Sequence, residues 1–580
     1  MDRDSVTIAF VGSGGAGVMT AGQMLLDTAA KAGWYGYYSR SSGPQIRGGE
    51  AAAFIRLSPR PLFGPSDHVD LIIAFDWQNI ERFAAELPLV EQSVIITDPS
   101  QGEIPPVLRA SGARTIELPL KEIAGAIKGG RPNMVGLGAA ASVAGLPLDA
   151  IEPVVRALIG KKGEAAIQAS LDAADAGALR AAEWGLDFAM PTGERPAGAR
   201  WSLSGNEAAG FGAIKAGVRF CAAYPITPAT EVLEWLAPHL SRIGGMLVQA
   251  EDEIASINMC IGASYGGVPS VTATSGPGLA LMIEALGLAV SSETPVVVID
   301  VMRVGPSTGI ATKSEQSDLN IAVYGLHGDA PHLVVAPNSI ADCAYTTQWG
   351  VHLAESLQAP CLVLSDQALG QARTITDRPP DADFTAQRLL ATFSEGEPYL
   401  RYADTPSGVS PVAFPGMPGG EHTADGLEHG ENALPSAQAK DHEMQLEKRL
   451  RKLTGHDYGA SWADIEGEGD VAVLTWGSIT GAAREAIARL NAQGTQVRLI
   501  SMRLIAPLQI DRLLAALQGV RKLLILEQSH GAQFHKYLRA HLDLPVTPVV
   551  FNRPGPLPIR AQEVCDQIAL LLPAKEELAA

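Results

Sequence analysis

The stretch "PSVTATSGPGLALMIEALGLAVSSETPVVVIDVMR", residues 269–303, decides the fold class. A short apolar run is followed by a glycine–proline loop, a helical stretch and a second apolar run, PVVVIDVM. That order is strand, loop, helix, strand, with both strands reading as buried. The same grammar extends outward in both directions. Upstream, GNEAAGFGAIKAGVRFCAAYPITPATE (205–231) reads as helix, short strand and stiff loop, and GGMLVQAEDEIASINMCIGASYGG (244–267) as strand, acidic turn and helix. QAPCLVLSD closes the series near residue 366. An α/β fold with ligand loops at strand ends is the expectation.

The N-terminal run VTIAFVGSGGAGVMTAGQMLLDTAAKAG (6–33) is another strand, glycine loop and helix, and DVAVLTWGSITGAAREAIARL (470–490) opens a third series. Three α/β modules follow: residues 1–190, a linker at 191–202, residues 203–374, a Pro-, Gly- and His-rich connection at 375–467, and residues 468–575. The 375–467 segment reads as either a crossing connection or a surface insertion, with one helix, HEMQLEKRLRKL (442–453). At 580 residues the chain is too long for one core, and roughly three to four domains are expected on length alone.

Composition excludes several function classes. A net charge of −19 opposes non-specific binding to nucleic acid or anionic membranes, and it requires local cations for any anionic substrate. The five cysteines lie far apart without a CxxC pair, so neither a metal or iron–sulfur site from sequence-local ligands nor a disulfide framework is expected. No metal ligands are assigned. The Val6–Val11 run is too short for a signal peptide, and the apolar stretch Gly278–Val290 is broken by Glu284 and too short to span a bilayer. A reduced, cytoplasmic setting is expected.

Several loops carry chemistry. Gly12, Gly14 and Gly17 satisfy GxGxxG, which serves either a dinucleotide phosphate or tight helix–strand packing. The acidic residue that an NAD site wants about 20 positions on is missing, leaving NADP through Arg40 as the remaining option. SRSSGPQIRGGE (39–50) sets Arg40 and Arg47 among hydroxyls, either as an anion-binding loop or as a solvated turn. In YPITPATE (224–231) two prolines stiffen a loop before a helix, where Thr227 and backbone N–H groups can face a ligand; a plain proline-rich connection is the alternative. Glu251, Asp252 and Glu253 precede a helix and stabilise its dipole, while the small and apolar residues after Glu253 suit a partly buried carboxylate. TATSGPG (272–278) is backbone-rich. MRVGPSTGIATKSEQSDL (302–319) places Arg303, Thr308, Thr312 and Lys313 after a strand, suitable chemistry for a small carboxylate.

Together and in this order, these motifs resemble the fused γ–α subunit of the 2-oxoacid:ferredoxin oxidoreductases, with the 2-oxoglutarate type most similar. GSGGAGV and SGPQIRGGE resemble the γ-type domain. YPITPATE, AEDEIAS, TSGPG and GPSTGIATKSEQSDL resemble the thiamine-diphosphate pyrimidine-binding domain, and the unit from Asp470 resembles a transketolase-C-like domain. Ala16 stands where the family commonly has glutamine, and RSSGPQIRGG where it often reads SYGPE.RGG.

The resemblance implies a CoA-acylating oxidoreductase converting 2-oxoglutarate, CoA and oxidised ferredoxin to succinyl-CoA, CO2 and reduced ferredoxin, reversibly. It implies Glu253 as the catalytic carboxylate on the cofactor pyrimidine, with Tyr224, Pro225, Ile226 and Ser275 as further cofactor contacts. Thr227, Arg303, Thr312 and Lys313 map to substrate binding, and Ser41 and Arg47 to a CoA or substrate loop. Thiamine diphosphate would be shared with a β subunit carrying Mg2+ and a [4Fe–4S] cluster, in an (αβ)2 assembly served by ferredoxin; the family's GDG diphosphate motif does not occur in this chain. Three alternatives stay open: a pyruvate or branched-chain/indolepyruvate relative, an NADP-dependent oxidoreductase using the N-terminal loop, and a scaffold that lost its chemistry.

Overall fold

A computed structural model describes residues 4–43, 49–186, 188, 200–393 and 397–572. Arg47 and most of the expected linker lie outside the described residues. The chain divides into two compact units, one of Met1–Ser204, Gln371–Pro379 and Arg560–Gln562, the other of Gly205–Gly370, Pro380–Ile559 and Glu563–Ala580.

The first strands in chain order are β1 (Val6–Ser13), β2 (Tyr35–Ser42), β3 (Glu50–Ser58), β4 (Leu71–Ala74), β5 (Val94–Thr97), β6 (Arg114–Glu117) and β7 (Trp201–Ser204). Then come β8 (Phe220–Ala223), β9 (Met246–Gln249), β10 (Ser270–Thr274), β11 (Val297–Met302), β12 (Leu333–Val335), β13 (Cys361–Asp366) and β14 (Arg373–Thr376). The last six are β15 (Ala463–Glu466), β16 (Val471–Trp476), β17 (Val497–Met502), β18 (Leu504–Ala506), β19 (Lys522–Glu527) and β20 (Val549–Asn552).

In the first unit an eight-stranded sheet runs β6-β5-β4-β1-β3-β2-β14-β7. Period-2 alternation along β1 feeds two cores: Val6, Ile8 and Phe10 face the helix Val18–Lys31, and Ala9 and Val11 join Ile72 and Ile95 on the other face. This topology removes the dinucleotide option. A Rossmann unit sets the strand after the first helix parallel beside β1. Here β1 lies between β4, parallel, and β3, antiparallel, and among the described residues β2 pairs only with β3 and β14. The backbone N–H and hydroxyl of Ser13 donate to the Asp76 carboxylate at 3.0 and 2.8 Å, so a fixed anion occupies the turn that a phosphate would use. Gly17, at φ +89°, makes room for Asn133, because a Cβ there would stand 2.7 Å from its Cγ. The glycine loop serves packing.

The second unit holds a seven-stranded sheet, β18-β12-β13-β11-β10-β8-β9, and a five-stranded one, β15-β17-β16-β19-β20. All neighbours from β12 to β9 are parallel. β18 pairs antiparallel with β12, so the C-terminal module completes the edge of the central sheet. Arg503 rivets this junction, its Nη2 lying 3.0 Å from Asp342 and 2.8 Å from Asp464.

Of the two readings of the connection, a surface insertion alone does not describe its helix. The helix Ala439–Thr454 buries Lys448 and Lys452, whose ammonium groups lie 2.7 and 3.0 Å from the carboxylate of the fully buried Glu293. Polar composition concealed a buried ion cluster that pins the connection to its module. Burial alone would raise the Glu293 carboxyl, but Lys452 and Lys448 outweigh it and hold it well below the ordinary 4.5. Its stabilising contribution is therefore complete above that ordinary value and is lost as pH falls toward the depressed one. Glu293→Gln leaves two ammonium groups without their counter-charge and should cost about 3–5 kcal/mol, read as a lower urea midpoint at pH 7. An unchanged midpoint would show that the lysines relax to solvent.

Candidate active site

The order β11-β10-β8-β9 places four chain exits side by side at one carboxyl edge of a parallel sheet, where α/β proteins bind ligands. Arg303 follows β11, Ser275–Gly278 follow β10, Tyr224–Pro228 follow β8, and Glu251–Glu253 follow β9. Motifs separated by up to about eighty residues in sequence thus become neighbours.

The acidic turn divides its labour. Asp252 caps the helix Glu253–Tyr265, its carboxylate accepting from Ala255 N at 2.7 Å. Glu251 is exposed, whereas Glu253 is buried at 6% exposure. No described group donates a hydrogen bond to the Glu253 carboxylate. It rests against Gly278, where a Cβ would stand 2.8 Å from Glu253 Oε1 and 2.1 Å from Thr274 Oγ1. Only glycine fits there. Ser275, which precedes the helix Gly276–Ser291, keeps its hydroxyl buried and without a described partner.

The proline loop is held from two sides. Asn206 Nδ2 donates to Pro228 O at 2.9 Å, and Arg303 Nη1 donates to Thr227 O at 2.6 Å. Tyr224 is exposed, and Pro225, Ile226 and Thr227 are half-buried. Arg303 is buried, with Nε lacking a described partner; burial lowers its guanidinium below the ordinary value and Asp318 pulls it back up.

After Arg303 the chain makes a tight hairpin. Ile310 N donates to Val304 O at 2.9 Å and Val304 N to Lys313 O at 3.0 Å. Gly309, at φ +52°, is obligatory, since a Cβ would fall 1.5 Å from Val304 O. Thr312 and Lys313 are half-buried on the returning arm. Beyond them, Gln316 locks the segment to the C-terminal module by exchanging two 2.8 Å bonds with the backbone of Gln528, and it donates to Trp476 O.

Ser41 belongs to the other unit, buried in β2 opposite Ala52; Ser39–Ser42 are strand rather than flexible loop. All five cysteines are buried free thiols, and no group of described residues has the make-up of a metal site.

Three family models match in succession: pyruvate ferredoxin/flavodoxin oxidoreductase over residues 7–179, the thiamine-diphosphate-binding domain of pyruvate flavodoxin/ferredoxin oxidoreductase over 211–448, and the transketolase C-terminal domain over 462–567. A 2-oxoglutarate oxidoreductase subunit KorA from Mycobacterium tuberculosis is 32% identical, with 87% of this chain and 82% of that protein covered. The chain belongs to the 2-oxoacid:ferredoxin oxidoreductase family. A 2-oxoglutarate synthase subunit KorA from Methanothermobacter marburgensis is 35% identical over 58% of this chain and 90% of that one. The 2-oxoglutarate:ferredoxin oxidoreductase of Magnetococcus marinus, solved with 2-oxoglutarate, coenzyme A and succinyl-CoA bound, superposes with a TM-score of 0.91 at 36% identity, covering 98% of this chain and 100% of that one.

In this oxidoreductase all four edge loops fall inside the thiamine-diphosphate-binding match. Sequence reasoning passed over Gly278, Asp318 and Asp300. Gly278 sat in a quoted motif without a role, and its signal was a second glycine directly after a helix-initiating proline. Asp300 carried a clearer signal, a carboxylate inside the apolar run PVVVIDVM.

Proposed function

We propose that this chain is the α subunit of a CoA-acylating 2-oxoglutarate:ferredoxin oxidoreductase. The observation that carries the reading is Glu253, a buried carboxylate without a described donor, at the sheet edge that also bears Arg303 and Thr227. The names and contents of the relatives support 2-oxoglutarate and CoA as reactants.

The residues suit the pyrimidine end of thiamine diphosphate. Glu253 can hold a proton at the ring N1′, the orphaned Ser275 hydroxyl can pair with a ring substituent, and Gly278 leaves the carboxylate its room. Tyr224, Pro225 and Ile226 line the same loop. When bound, thiamine diphosphate supplies a nucleophilic carbon and an electron sink. Arg303 takes the carboxylate beside the keto group, with Thr227 and Thr312 as hydroxyl donors. Lys313 offers a second cation for the distal carboxylate that separates 2-oxoglutarate from pyruvate.

The remaining parts fall to a β partner: the diphosphate with Mg2+, and a [4Fe–4S] cluster that passes electrons to ferredoxin. Ile254 and Met259, on the helix that Glu253 opens, Leu281 on the Gly276–Ser291 helix, and Tyr224 are exposed apolar side chains available to that partner in an (αβ)2 assembly. Ser41 and Arg47 are proposed for the CoA side, in a cytoplasmic enzyme. No described helix is long and apolar enough to cross a membrane.

Purified alone, the chain should be colourless and inactive. Co-expressed with its β partner, it should be brown and reduce a low-potential dye in a CoA-dependent reaction, faster with 2-oxoglutarate than with pyruvate. Turnover by the isolated chain sinks the shared site, and a preference for pyruvate sinks the substrate assignment.

A further inference from the structure

Gln533 opens the helix Gln533–His541 of the C-terminal module and commits both ends of its side-chain amide to one short span of the central module. Its Nε2 donates to Ser317 O at 2.8 Å, and its Oε1 accepts from Asn320 N at 2.9 Å. A carbonyl only accepts and a backbone N–H only donates, so the amide has one orientation. Asn320 lies in the first turn of the helix Leu319–Tyr324, where N–H groups have no partner inside the helix. Asp318, at the N-cap, gives that helix no side-chain cap. Gln533 supplies one from another module. The two helices also meet through their rings, with Tyr324 stacked at 6.2 Å on His541 and edge-on at 6.1 Å to Tyr537.

The span that Gln533 holds leads to the proposed substrate side. Ser317 Oγ donates to Arg303 O at 3.4 Å, and Arg303 Nη1 reaches Thr227 O. Asp318, between the two bonds of Gln533, lies on the first turn of the Gly276–Ser291 helix, where a Cβ at Gly276 would stand 2.7 and 2.8 Å from its oxygens.

We propose that Gln533 is a positioning residue for substrate capture: it holds Ser317–Asn320 and, through Ser317, fixes the backbone from which Arg303 extends. The inference rests on the reading of Arg303 as the carboxylate anchor. It gives the C-terminal module a part in substrate binding. Replacing the side chain leaves its surroundings in place. Glu527 caps the Gln533–His541 helix through Phe534 N and His535 N at 2.9 and 3.0 Å, and Ser529 Oγ accepts from the Gln533 backbone. Gln316 stays on Gln528, and Arg503 on Asp342 and Asp464. Glu253 and Gly278 stand on other loops. A loss at Gln533 therefore falls on the KM for 2-oxoglutarate rather than on kcat.

The experiment measures kcat and KM for 2-oxoglutarate on the complete complex, partner chain included, in Gln533→Ala and Gln533→Glu. The glutamate keeps the size and loses the donor to Ser317 O. KM should rise about tenfold in both, the scale of one or two neutral hydrogen bonds, with kcat and the KM for CoA within about twofold. An unchanged KM overturns the proposal, and so does a fall in kcat with KM unaltered. Combining Gln533→Ala with Arg303→Ala gives a readout that a merely structural role would not move. If Gln533 acts through Arg303, adding Gln533→Ala to Arg303→Ala should change kcat/KM by less than about twofold. Full additivity places its action elsewhere and overturns the proposal. Unchanged kcat/KM in Arg303→Ala removes the anchor and this inference with it, whereas an impaired Arg303→Ala enzyme beside a normal Gln533→Ala enzyme removes this inference alone.

Discussion

Glu253→Gln should lower turnover of the assembled enzyme by about 10²-fold or more, with the fold intact. The structure makes this substitution clean. Asp252, not Glu253, caps the helix, so the amide leaves the N-terminus satisfied. Glutamine matches glutamate in size, and the contact with Gly278 tolerates it where a larger side chain would collide. What the amide lacks is the charge that, on the proposed reading, would hold a proton at the pyrimidine N1′. Turnover under saturating substrate reads the effect, with circular dichroism and cofactor occupancy as controls. Near-normal activity would move the role to Glu251 or Asp252.

Arg303→Ala should cost on the order of 2–5 kcal/mol in kcat/KM for 2-oxoglutarate, as expected for a desolvated charge pair losing one partner. That corresponds to roughly thirty-fold to several-thousand-fold in rate. On the proposed reading the guanidinium has two tasks, since it also donates to Thr227 O, so alanine would both remove the proposed anchor and release one side of the proline loop. Arg303→Lys should recover only part of the loss, because an ammonium cannot reproduce the planar fork. Thr227→Ala should be milder, as it leaves the backbone carbonyl that Arg303 holds. If kcat/KM is unchanged in Arg303→Ala with the cofactor bound, the carboxylate is held elsewhere, with Lys313 or Arg47 next in line.

The central module was legible because its strands are apolar and its exits are punctuated by glycine and proline, signals that act within a few residues. Glu253 could be singled out from the residues that follow it. Its division of labour with Asp252 could not, because burial depends on Gly278 packing across from the next strand. The N-terminal glycine loop kept two readings in sequence. Only the pairing of β1 with β3 and β4, and the Asp76 carboxylate on Ser13, decide for packing, and both are contacts across some forty to seventy residues. The strands β7 and β14 join the first sheet for the same reason: four-residue strands carry little local signal about which edge they extend. Lys448 and Lys452 read as surface residues, since lysine is seldom buried, until Glu293 is placed opposite them.

The most direct measurement is the exchange of the thiamine diphosphate C2 proton for deuterium in the assembled complex, stopped by acid quench and read by NMR of the released cofactor. If Glu253 of this chain drives that proton transfer in a site shared with the partner, the wild-type complex should exchange at least as fast as it turns over, and the Glu253→Gln complex should be slower by about 10²-fold. Equal exchange rates in the two complexes would contradict the assignment.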